Sequence, residues 1–284
     1  MANGKRLLFF DLLRIFSVAL IVFHHIALVY RWDVFLKGIT VFTGFSFNFG
    51  SAGTYLMIFV SGAVLEYTYP YFRDFEEISA FYVRRLFRIY PAFWMSLIVG
   101  LAICPFLLHR IQPHILVLEF TGFCAFVGQW SRSINYCGWF VGLIVTLYFL
   151  YPFLSASIRK YPFLMLFLIA VSEIALRYTF TVYHPAIFGL YPDRWFPVCN
   201  FLEFGLGIWI IQQDVFPKWR YDNTLIEFLA GISFYVFLIH LIAGMPALML
   251  VSLPVYFVVI ILLAWLMMLG DEKIQFYLKR VAGI

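Results

Sequence analysis

Apolar residues fall in long blocks along this chain, and short intervening segments hold most of the charge. A helix needs about 20 apolar residues to span a bilayer. By that measure the candidate spans are 7–30, 49–68, 89–108, 112–130, 136–157, 161–181, 196–213, 225–243 and 246–269. The last two are the plainest, because Phe228 to Gly270 contains no Asp, Glu, Lys or Arg. At ~1.5 Å per residue that stretch is about twice a bilayer's thickness, and Gly244-Met245-Pro246 supplies a turn within it. No repeat of solenoid period and no low-complexity segment interrupts the pattern. It predicts an all-α polytopic transmembrane helix bundle, with residues 1–284 forming a single integral membrane domain.

Charge placement decides how many blocks cross. If all nine do, with the N-terminus inside, nine Lys and Arg lie inside and ten outside, which is no bias. If 112–130 instead dips in and returns, thirteen lie inside: Lys5, Arg6, Arg73, Arg84, Arg85, Arg88, Arg159, Lys160, Lys218, Arg220, Lys273, Lys279 and Arg280. Only Arg31, Lys37, Arg110, Arg132, Arg177 and Arg194 remain outside. The positive-inside rule favours that second arrangement, and Glu119, Gly122 and Gly128 suit a re-entrant stretch buried in protein. The expectation is eight crossings plus a re-entrant segment, with both termini cytoplasmic in the plasma membrane. The count rises to ten if 33–48 or 183–195 enter the bilayer. Lys5 and Arg6 before an apolar run resemble a signal peptide, but that run is long, contains Arg14 and lacks a small-residue cleavage site, so it reads as a mature helix.

Composition narrows the class. The chain is 64% hydrophobic and 12% charged, against roughly 25% charged in soluble domains. Its 35 Phe and 18 Tyr are more apolar surface than a water-soluble domain of this size can hide. Membrane lipids are therefore partners, and the net charge of +5 does not imply nucleic acid. The four cysteines (Cys104, Cys124, Cys137, Cys199) lack metal-ligand spacing and read as buried apolar residues, so no metal is expected.

Arg14 and His25 carry the strongest chemical signal. Ten residues separate them, so on a helix they share a face to within ~20° and lie ~16 Å apart. Snorkelling and interfacial placement offer a plain explanation. Asp11, one turn from Arg14, makes a held ion pair the better reading. A cation at bilayer depth with a histidine above it suggests a polar track. His24 is ~80° off the Arg14 face, which selects His25.

Arg84, Arg85 and Arg88 form the second cluster. On charge alone they are an anchor, yet Arg85 and Arg88 are one turn apart and suit a phosphate-bearing ligand. Ser233 and His240 share a face seven residues apart, with His240 at the same membrane level as His25. Glu66, Glu173, Arg177, Asn200, Glu203 and Glu227 also lie in or at the ends of spans, and Asn200 and Glu203 share a face.

These residues, taken in order, resemble membrane-bound acyltransferase family 3, which includes polysaccharide O-acetyltransferases. Asp11-Leu12-Leu13-Arg14 through Val22-Phe23-His24-His25 is similar to its first-helix motif. Phe59-Val60-Ser61-Gly62 is similar to its second-helix pattern, and Arg85 through Arg88 to Pro91 to its Arg-x-x-Arg-x-x-Pro signature. Trp139, Tyr148 and Pro152 have the spacing of a further motif, and Ser233-Phe234-Tyr235 through His240 resembles a late one. Many members carry glutamates where this chain has Ile144 and Val145, and some carry a fused extracytoplasmic domain that these residues lack.

The resemblance implies transfer of an acyl group, usually acetyl, from cytoplasmic acyl-CoA to a hydroxyl of an extracytoplasmic or lipid-linked glycan. It implies roles in catalysis for His25, Arg14 and Asp11, in donor binding for Arg84, Arg85 and Arg88, and further site positions at Ser61, Tyr148, Asn200, Ser233 and His240. His25 would act as a general base or be acylated first. The alternative is a transporter or flippase in which Arg14 and His25 relay substrate or protons.

Overall fold

A computed structural model of the chain describes residues 7–36, 39–42, 45–109, 111–127, 134–183, 192–215, 219–242 and 244–282. The elements run α1 (Leu8–Val29), α2 (Asp33–Leu36), β1 (Ile39–Phe42), β2 (Phe45–Phe47), α3 (Phe49–Thr68), α4 (Phe75–Ile103), α5 (Pro113–Thr121) and α6 (Gly138–Lys160). They continue as α7 (Pro162–Tyr183), α8 (Pro192–Trp195), α9 (Phe201–Gln212), α10 (Thr224–Ile239), α11 (Met245–Val251) and α12 (Leu253–Ala282). The fold is an all-α polytopic membrane bundle with one small antiparallel hairpin, in which Ile39 faces Phe47.

Six helices, α1, α3, α4, α6, α7 and α12, are apolar and long enough to cross a membrane. Two shorter apolar helices, Pro197–Gln212 (a 3₁₀ turn running into α9) and α10, fall where two further crossings were expected. The 112–130 block does not form a spanning helix. It folds as α5 and a 3₁₀ turn at Cys124–Val127, and its last residues lie outside those described. Nine α5 residues rise ~13 Å, far short of a ~30 Å bilayer core. Gly122 ends α5 in the left-handed region at φ 79°, where glycine is unpenalised.

Three boundaries differ from expectation. The third block starts fourteen residues earlier, at Phe75, because Asp74 caps the helix by accepting from Glu77 N at 2.8 Å, and Glu76 and Glu77 complement its dipole. The last block breaks at Ser252, which is extended; Pro254 has no N–H to donate to the Leu250 carbonyl and its ring would clash there, so it sits in the first turn of α12 instead. The region 33–48 forms α2 and the hairpin rather than a span, and 184–191, like the loops around Arg110 and Arg132, lies outside the described residues.

α3 and α9 cross at two glycines. A Cβ on Gly207 would run into the Phe59 carbonyl, and one on Gly62 into the Phe204 carbonyl. Small residues permit this approach where no hydrophobic force separates helix from lipid. Glu66, 1% exposed, ties α3 to α6 and α9. It accepts from Tyr151 (2.9 Å), Ser155 (2.6 Å) and Gln212 (3.1 Å), and pairs with Arg159. A second buried cluster joins Arg177 to Glu173 (3.0 Å), Glu203 (3.7 Å), the Tyr55 hydroxyl (3.0 Å) and the Cys199 carbonyl. Both networks satisfy charge that lipid would not.

Candidate active site

A cavity of about 160 Å³ opens among α1, α3, α4, α6 and α10. Arg14, Ser61, Arg85, Arg88 and Tyr148 contribute polar atoms to it, and Val18, Ile144, Phe140 and Phe234 are among its apolar lining. Five residues from four separate sequence motifs therefore meet in one space. Ile144, which occupies a position where the resembled family often has glutamate, forms part of its apolar wall.

Two of the arginines are held alike. Arg14 pairs with Asp11 at 2.9 Å, and Asp11 also accepts from the Tyr221 hydroxyl at 2.7 Å. Arg88 lies 3.7 Å from Asp271, which accepts from the Tyr235 hydroxyl at 2.6 Å. Each carboxylate is almost fully buried, so it fixes its arginine while the tyrosine satisfies a remaining lone pair. Arg85 has a different support: its guanidinium sits over the Tyr69 ring at 4.7 Å, and Arg84 lies over the same ring at 5.5 Å. The Nε atoms of Arg84 and Arg85 are buried and unpartnered among the described residues. Arg85 lines the cavity with a guanidinium, a group that suits an anion. Arg84 does not line it.

His25 lies two helical turns beyond the cavity, roughly 10 Å above Val18 on α1. Its Nδ1 is 2.8 Å from the Ile21 carbonyl and 3.1 Å from His240 Nε2. His240 caps the C-terminus of α10 and is fully buried. Its Nδ1 is 2.7 Å from the Phe237 carbonyl, one of the orphan acceptors every helix end leaves. Neighbouring contacts lock the same turn: Asn135 donates to the Leu238 carbonyl at 2.9 Å and Tyr256 to the His240 carbonyl at 3.2 Å. Cys137 Sγ is 3.7 Å from His240 Nδ1. Ile21, Phe140 and Phe237, all buried, belong to the apolar core beside this pair.

The remaining residues take packing positions. His24 lies against Gly50 of α3, so that a Cβ there would strike its ring. Ser61 and Ser233 donate to the Met57 and Ala230 carbonyls of their own helices, at 2.8 Å each; Ser233 does not line the cavity. Asn200 donates to the Arg194 and Phe196 carbonyls at 2.9 and 3.1 Å and so fixes the segment before α9. Sequence reasoning passed over Asp271 and Tyr221. Asp271 had a signal, being the first charge after the uncharged run ending at Gly270. Among the described residues no three His, Cys, Asp or Glu side chains cluster as metal ligands.

The apolar helix bundle, with its arginine-lined cavity, is that of an integral membrane protein. A family model described as an acyltransferase domain matches residues 7–282, and the chain belongs to acyltransferase family 3. Comparison with curated proteins and with solved structures returned no match. The protein is thus a membrane acyltransferase.

Proposed function

We propose that the protein transfers an acyl group, acetyl by preference, from cytoplasmic acyl-CoA to a hydroxyl of an extracytoplasmic or lipid-linked glycan. The observation that carries the reading is the cavity where Arg14, Arg85 and Arg88 converge. Guanidinium forks match phosphate geometry, and the apolar part of the lining suits an acyl thioester arm while the nucleotide stays at the arginine-rich end. The positive-inside count puts that end, and both termini, on the cytoplasmic side of the plasma membrane. A transporter would have less use for this grip.

His25 is the base in this reading. The Arg14-to-His25 rise of ~16 Å is within reach of a pantetheine arm that passes the apolar layer at Ile21 and Phe140. The acceptor oxygen attacks the thioester carbonyl and gives its proton to His25 Nε2. The new C–O bond forms, the C–S bond breaks, and the thiolate leaves with the proton from His25. Arg14 and Asp11 hold the lower end of the same helix face. The Trp139–Trp195 pair, stacked at 5.3 Å, lies near Cys137 and the histidine end; flat faces with polar N–H edges suit a sugar acceptor.

Calorimetric titration of the purified protein with coenzyme A tests the donor assignment. Saturable binding that weakens in Arg85→Ala supports it. Absence of binding in well-folded protein overturns it.

A further inference from the structure

We infer that His240 is a positioning residue of His25: with the Ile21 carbonyl it holds the proton on His25 Nδ1, which leaves Nε2 as the bare nitrogen. This rests on the reading of His25 as the base. The argument is one of proton placement. A carbonyl only accepts, so the 2.7 Å contact of His240 Nδ1 with Phe237 O puts a proton on that Nδ1. A neutral His240 then has a lone pair at Nε2. The 2.8 Å contact of His25 Nδ1 with Ile21 O puts the second proton on His25 Nδ1. That N–H is shared between Ile21 O and His240 Nε2, the latter at 3.1 Å. One placement satisfies all three contacts with both rings neutral, and it leaves Nε2 of His25 unprotonated.

His240 thereby does with a neutral ring what a carboxylate does in a Ser-His-Asp triad. It reinforces the tautomer that the Ile21 carbonyl sets, aims the ring and accepts a hydrogen bond that strengthens when His25 gains the acceptor's proton. A neutral partner suits the site, since a carboxylate fully buried at this depth would require its own counter-charge. The α10 terminus is built to hold it, with Asn135 and Tyr256 occupying the adjacent carbonyls.

Two substitutions separate positioning from packing. In His240→Gln the side-chain carbonyl reaches the Nε2 position and still accepts from His25 Nδ1–H. In His240→Asn the amide reaches only the Nδ1 position and leaves the Ile21 carbonyl as the sole acceptor for His25 Nδ1–H, with the ring no longer held from α10. Steady-state transfer from acetyl-CoA is expected to retain kcat within a fewfold for Gln and to fall roughly tenfold to hundredfold for Asn, with donor KM unchanged in both. Equal kcat in wild type and Asn, or equal loss in Gln and Asn with coenzyme A binding intact, overturns the inference. Imidazole nitrogen NMR of the wild type, with His25 assigned by His25→Ala, reads the tautomer without any His240 variant. A proton on His25 Nε2 in the resting protein also overturns it. If wild type transfers no acyl group from acetyl-CoA, or His25→Ala still does, the functional reading itself has failed.

Discussion

His240 Nε2 meets His25 Nδ1 at 3.1 Å across 215 residues of sequence. The contact joins the first membrane helix to the end of α10 at one depth. Three turns below on α1, Arg14 marks the cavity where three arginines meet. The protein therefore carries an arginine-lined cavity and a histidine pair at different levels of α1.

His25→Ala is expected to lower acyl transfer by roughly 10²–10⁴-fold, the usual effect of removing a general base, while coenzyme A binding persists. His24→Ala should leave kcat within a fewfold, because that ring packs on Gly50 and shares neither His240 nor the Arg14 face. Single-turnover rates with labelled acetyl-CoA compare the two. Equal losses would remove the distinction between the neighbouring histidines.

Arg88→Ala and Arg85→Lys should each weaken donor affinity roughly tenfold to a hundredfold, the range of one lost charge-assisted contact. Asp271→Asn should weaken it in the same direction and by less, since Arg88 keeps its charge but loses its anchor. Titration with coenzyme A measures all three. Unchanged affinity throughout would return these arginines to the status of a topological anchor.

Stability should respond elsewhere. Glu66→Ala removes the carboxylate that Tyr151, Ser155, Gln212 and Arg159 share in the α3–α6–α9 junction, and is expected to cost about 1–3 kcal/mol. Gly207→Ala drives a methyl into the Phe59 carbonyl, with a similar loss from overpacking. Thermal unfolding in detergent reads both, and either variant unfolding like wild type contradicts the tight helix crossing.

Cysteines introduced beside Arg110 and Arg132 should both label from outside intact cells, and a cysteine beside Lys160 should not. The α5 region is too short to cross, so its two flanks belong on one side. Labelling of one flank only would show a complete crossing.

Much of this was legible in the chain. Uninterrupted apolar length revealed α1, α3, α6, α7 and α12, and the eleven-residue step from Arg14 placed His25 on its face. The charge count demoted 112–130 before any geometry did so. Boundaries set by single residues were harder: Asp74 lengthens α4 through a cap, and Pro254 splits the last block through a local steric effect. Tertiary pairings were out of reach. Periodicity within α12 contains nothing that aims Asp271 at Arg88, and the His25–His240 contact depends on where α10 ends. Ile21 and Phe140 pack in the apolar core near the histidine pair, a contact that the spacing of Arg14 and His25 along α1 does not reveal.

Acyl transfer across the membrane is tested most directly in inside-out vesicles supplied with acetyl-labelled CoA at the exposed cytoplasmic face. The expected result is base-labile label in the lumenal glycan or glycolipid fraction with wild-type protein, and none with His25→Ala at equal protein level. Label that fails to appear with wild type, or that appears equally with His25→Ala, contradicts the account.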